Sequence, residues 1–208
     1  MATQQEVLKH ITGHTGGVPT QLSWNTHFSQ VRQPRIAGRD AFTSATFRAS
    51  MAFTTKADSK GMIRFQNVSV TVSMDRGASW VVSGKQTAAL LNHEQGHFNI
   101  TWLAARELCR KLLEYELDTS LRVLDAAHPG RMTPPTERLP QDFREMERAT
   151  QRDIDRLNLL YDSKGQAFHG VNAQPQTQWD RFLKYVVQNF DSDMSTLLMV
   201  GGGTPSGF

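Results

Sequence analysis

The chain has 208 residues, 38% of them hydrophobic and 21% charged, with a formal net charge of +3; this is enough for one domain with a sizeable core. The basic excess is mild and scattered, with no basic run and no aromatic-basic strand motif, so nucleic acid is not the expected partner. No apolar run is long enough to span a membrane, and a single cysteine, Cys109, excludes an internal disulfide.

Residues 1–20 hold three glycines and a proline without a clear period; they are expected to be a flexible lead-in. Leu22 to Phe28 is expected as a first strand, with Leu22 and Trp24 facing inward. Ala45 to Phe53 and Ile63 to Met74 alternate apolar with polar residues and are expected as two half-buried antiparallel strands. Ser79-Trp80-Val81-Val82 is a short apolar strand, expected at the sheet edge above a cleft. Ser83 with Gln86 suggests a capping box, so a long helix is expected from near Gly84 to about Leu117. Leu117 to Leu124 is expected to continue as helix, Thr133-Pro134-Pro135 to form a stiff connection, and Gln141 to Tyr161 and Pro175 to Phe190 to form amphipathic helices. Strands first and helices afterwards give an α+β fold: residues 21–82 as a small antiparallel or mixed sheet, 83–190 as the helical part of the same domain, and 191–208 as a flexible tail.

The long helix carries His93-Glu94-Gln95-Gly96-His97. Residues four apart share a helix face, so both imidazoles can reach one metal ion, and Glu94 can act as general base on a metal-activated water. Ala88 to Leu91 before the motif, and Phe98, Ile100, Trp102 and Leu103 after it, make the helix a buried one. Gly96 costs up to ~1 kcal/mol against Ala inside a helix and would let another segment or a substrate come close.

A catalytic zinc needs a third protein ligand. The variant of the motif with a third histidine six residues on is excluded, because Ile100 and Leu103 stand where Gly and His are required. Acidic residues further along the helix are too distant, Glu107 already ~15 Å along the axis at ~1.5 Å per residue. The remaining candidates are His128, Asp162 and His169. His169 is favoured, because Gly170 lets the backbone turn sharply beside it. Asp162 is then expected to orient a ligand ring, and Tyr161 to donate to the developing oxyanion.

These residues resemble the bacterial predicted secreted zinc-dependent proteases, a family first catalogued as a domain of unknown function. The resemblance spans roughly residues 22–190. It is carried by Leu22-Ser23-Trp24, Ser79-Trp80-Val81, His93-Glu94-Gln95-Gly96-His97-Phe98-Asn99-Ile100, Ala105-Arg106, Tyr161-Asp162, His169-Gly170 and Gln178-Trp179. It implies a zincin-like fold, a Zn2+ ion held by His93, His97 and His169, and hydrolysis of peptide bonds in a peptide or protein substrate. Asn99 departs from the pattern, standing where an acidic residue is expected. The resembled family is predicted to be secreted or periplasmic, whereas Met1 to His10 has no apolar stretch of the signal-peptide kind, so a cytoplasmic location or another export route is expected. Two other readings remain: an amidase of cell-wall peptide or effector toxin with the same site, and a zinc-bound scaffold without activity.

Overall fold

The computed structural model describes residues 1–54, 56–120, 123–124 and 132–192. His128 and the tail beyond Ser192 lie outside the described residues. The chain is α+β. It opens with a helix, α1 (Gln4–His10), closed by a capping box in which Thr3 Oγ1 accepts from the Glu6 backbone N–H and Glu6 accepts from Thr3 N–H. Strands β1 (His14–Thr15) and β2 (Val18–Pro19) follow as a hairpin whose two-residue loop, Gly16-Gly17, has positive φ at both positions.

The expected flexible lead-in is therefore corrected. Val7 and Ile11 are buried in the core, Ile11 bridges to Val70, and the Trp102 indole N–H donates to Thr12 O. Gly13, at φ +79°, would bring a Cβ within 2.9 Å of Val72 O, so that turn needs glycine. The expected first strand is corrected as well: Trp24–His27 is a helical turn, α2. Trp24 and Phe28 are four apart and their rings meet at 4.7 Å, a helical contact rather than an alternation.

Strands β3 (Ser29–Val31), β4 (Ala41–Phe42) and β7 (Trp80–Val82) form one small sheet in the order β3-β7-β4. The apolar run Trp80 to Val82 is central and fully buried, parallel to β3 and antiparallel to β4. It is not the sheet edge expected from sequence, because a strand apolar on both faces is one covered on both.

The second sheet has the order β5-β6-β8, with β5 (Ala45–Phe53), β6 (Met62–Met74) and β8 (Glu116–Asp118) all antiparallel. In β6 the buried residues switch from Ile63 and Phe65 to Val68, Val70 and Val72. One extra residue is needed to change parity, and Asn67, at φ +50°, sits where the register shifts between the Ser50–Ser69 and Ala52–Gln66 pairs. The helix expected over Leu117 to Leu124 gives way to β8, whose Leu117 is buried against β6, and to β9 (Val123–Leu124), paired with β10 (Met132–Thr133).

Helix α3 (Ala88–Glu114) lies at the centre, packed against β5 and β6, α1, α4 (Pro135–Tyr161) and α5 (Ala173–Gln188). Its cap is Thr87, which accepts from Leu90 N–H. The box expected at Ser83 fails because Gly84 takes φ +83°, outside the helical region, while Gln86 accepts from Gly84 N–H. Helix α4 begins six residues before the expected Gln141: Pro135 suits a first turn, where its missing N–H has no partner to lose, and Pro140 is tolerated within the helix. No helix among the described residues is long and apolar enough to cross a membrane.

Candidate metal centre

On α3, one turn apart, His93 and His97 point towards the end of α4, where Asp162 follows the last helical residue. His93 Nε2 and His97 Nε2 each lie 3.1 Å from the same oxygen, Asp162 Oδ1. The three ligand atoms fall within 4.8 Å of one another, and the two histidines are buried. The other carboxylate oxygen, Oδ2, takes an ion pair from Arg39 at 2.9 Å. Asp162 thus has one oxygen fixed by Arg39 and the other left for the histidines.

The far side of each imidazole is held as well. His93 Nδ1 is 3.1 Å from Gln176 Oε1, and His97 Nδ1 is 2.9 Å from Asn158 Oδ1. The Gln176 amide cannot be the other way round, because its Nε2 donates to Asp180 Oδ1 at 2.8 Å and to the Tyr161 hydroxyl at 2.6 Å. His93 Nδ1 therefore carries the proton. A neutral His93 then turns its Nε2 lone pair on a carboxylate oxygen, and such a pair needs positive charge between its members, a proton or a metal ion. Burial would raise the Asp162 carboxyl, but its close contacts with His93 and His97 and the charges of His97 and Arg39 hold it well below the usual carboxylate range. Burial disfavours a charged His97, yet Asp162, with help from Glu94 and Asn158, raises its pKa above the ordinary value.

Sequence reasoning placed His169 in the cluster and Asp162 behind it. In the structure Asp162 is inside, and His169 stands at the rim, its Nδ1 3.4 Å from Asp162 Oδ1 and its ring 6.0 Å from that of His93. Burial lowers the pKa of His169, and the Coulomb pull of Asp162 in the other direction does not restore it. The chain reaches this place through three successive left-handed residues, Phe168, His169 and Gly170, at φ +41°, +54° and +77°. For the two that are not glycine this costs on the order of 1–3 kcal/mol each. The loop is held by Asn172, whose side chain donates to Lys164 O and Gln166 O. At Gly170 a Cβ would come within 3.2 Å of the His93 Cβ.

Tyr161 is closed off from solvent behind the histidines, which does not fit the donor role expected for it. Its side chain is fully buried, its ring stacks on His93 at 4.6 Å, and its hydroxyl donates to His93 O. It is the backing of the two histidines. Gly96 is the reason it fits: a Cβ there would meet the Tyr161 hydroxyl oxygen at 2.2 Å. The close approach expected at Gly96 is thus made by a segment of the chain itself.

Glu94 is 3% exposed, and its Oε2 is buried without a hydrogen-bond partner among the described residues. An ionisable oxygen left so is costly unless a ligand or the reaction uses it. A cleft of about 370 Å³ opens beside the cluster. His97, Asp162 and Arg39 line it together with the Phe42–Ala45 segment and, from α4, Ile154, Asn158 and Leu159.

Two imidazole nitrogens and a carboxylate oxygen are a donor set that suits zinc, and the 3.1 Å separations are near the ~3.3 Å expected between ligands at ~2.0–2.1 Å from a tetrahedral ion. Arg39, Asn158, Gln176 and Asp180 were not found from sequence. Each is an ordinary polar residue far from the motif along the chain, and nothing local marks it. Compared with family models, curated proteins and solved structures, the chain matches none.

Proposed function

We propose that the protein is a zinc-dependent peptidase, zincin-like and related to the predicted secreted proteases that its motifs resemble. The observation that carries this reading is the orphaned Glu94 Oε2, buried on the same helix as two histidines that converge on Asp162. A structural site has no use for that carboxylate; a hydrolytic one does. His93, His97 and Asp162 would hold the ion, with His169 poised at its rim. Zinc held there supplies a Lewis acid that acidifies water and polarises a carbonyl. Glu94 takes the proton of the attacking water and delivers it to the departing amine. Gln176 and Asn158 keep the two rings turned with Nε2 forward.

The lining of the cleft favours an extended peptide. Strand β5 is the outer strand of its sheet, and its first residue, Ala45, lines the cleft, so a substrate backbone can add to that edge. Leu159, 76% exposed at the opposite lip, offers an apolar contact for a side chain. The test is digestion of unstructured casein by the zinc-loaded protein. Cleavage should stop with chelator and return with added zinc; cleavage indifferent to chelator would refute the proposal.

A further inference from the structure

A hydrolytic site needs a donor for the charge that builds on the carbonyl oxygen, and the burial of Tyr161 leaves that place open. We propose that Arg39 fills it: its guanidinium binds the scissile carbonyl and stabilises the developing oxyanion. This rests on the peptidase reading above. Arg39 precedes β4 and lines the cleft next to His97 and Asp162. One nitrogen is fixed on Asp162 Oδ2 at 2.9 Å, and the guanidinium lies over the Phe42 ring at 5.7 Å. A guanidinium has five N–H donors in a rigid plane. The ion pair uses one side, and the remaining N–H groups have no protein partner among the described residues. The group is about one quarter exposed, so it is open to a ligand and still partly shielded from water, where a charged donor counts for more.

The chemistry balances without a redox partner. The water oxygen forms a bond to the carbonyl carbon, and the C=O π pair moves onto oxygen beneath Arg39. That pair returns as the C–N bond breaks, and the proton held by Glu94 goes to the amine nitrogen. Arg39 gives a hydrogen bond and no proton; Glu94 alone carries the proton.

The rival role is purely positional, with Arg39 doing no more than aim Asp162. Arg39→Lys and Arg39→Gln separate the two, because lysine keeps the ion pair and loses the fork. For each variant, zinc affinity is measured by competition with a chromogenic chelator. Binding of N-phosphoryl-leucinamide, a tetrahedral anion, is measured by calorimetry, and kcat and KM are measured on a casein-derived peptide. Arg39→Lys should hold zinc like the wild type, while kcat falls about 100-fold at near-constant KM and the phosphoryl probe weakens in parallel. Arg39→Gln should show the same loss of kcat and of probe binding. If zinc affinity falls in Arg39→Lys along with turnover, or if probe binding and kcat are unchanged, the proposal is overturned. A wild type that binds zinc but neither cleaves peptide nor binds the probe removes the peptidase reading, and this proposal with it. A wild type that cleaves as well as its Arg39 variants removes this proposal alone.

Discussion

Replacing Gly96 with alanine sets two effects of known sign against each other. By helix propensity alone the change stabilises α3 by about 1 kcal/mol. The new Cβ, however, would sit 2.2 Å from the Tyr161 hydroxyl oxygen and 2.5 Å from the ring carbon that bears it. That ring cannot swing aside: it is stacked on His93 at 4.6 Å, meets Trp179 edge-on at 5.2 Å, and its hydroxyl is tied to Gln176. Overpacking a rigid core costs ~1–3 kcal/mol, and a contact this short belongs at the upper end. The net expectation is a loss of about 2 kcal/mol, or a Tm lower by roughly 4–8 °C for a chain of this length. Because Tyr161 backs both histidines and is followed directly by Asp162, zinc affinity should fall about tenfold as well. Urea and thermal unfolding in excess chelator isolate the packing term, since no bound metal then adds to stability. A Gly96→Ala protein as stable as the wild type, or more stable, would refute the close packing of α4 on α3 and with it the placement of Asp162.

Val7→Ala should cost about 2 kcal/mol, from two lost methyl groups at ~0.8 kcal/mol each and a small cavity; a change below about 0.5 kcal/mol in urea unfolding would mean that α1 is not part of the core. Gln176→Ala removes the acceptor for His93 Nδ1 and should weaken zinc binding by about 10–100-fold, read by chelator competition; unchanged affinity would remove its orienting role. Burial pushes the Cys109 thiol up to about 12, so it should be silent to dithiobis-nitrobenzoate at pH 8 in the folded protein. It should react as one thiol after denaturation. Rapid reaction of the folded chain would contradict the packing of α3 against α1.

The strands and the long helix were readable because their periods are long: nine residues of alternation in β5, and apolar residues on most sides of α3. The helix of the candidate metal centre announced itself through the four-residue spacing of His93 and His97, which depends only on local geometry. What failed was short or non-local. Helix α1 has only about two turns, too little for a period to show, and its Thr3-Glu6 box was obscured by the glycines of the hairpin that follows. Trp24 and Phe28 fit either an extended or a helical reading until their ring contact is seen. The exchange of Asp162 for His169 has a different cause. Both lie in one loop, and only the left-handed run at Phe168 to Gly170 and the ion pair to Arg39, 123 positions away in sequence, decide which reaches the histidines. The edge assigned to Trp80 to Val82 failed because flanking strands of two and three residues are too short to detect.

The central claim, that Asp162 completes a metal site on which Glu94 acts, is tested most directly by metal content. Elemental analysis of purified and zinc-reconstituted protein should find one zinc per chain in the wild type and in Glu94→Gln. It should find a sharply reduced amount in Asp162→Ala, with casein cleavage lost in both variants. Full zinc occupancy in Asp162→Ala, or no zinc in the wild type after reconstitution, would contradict the account.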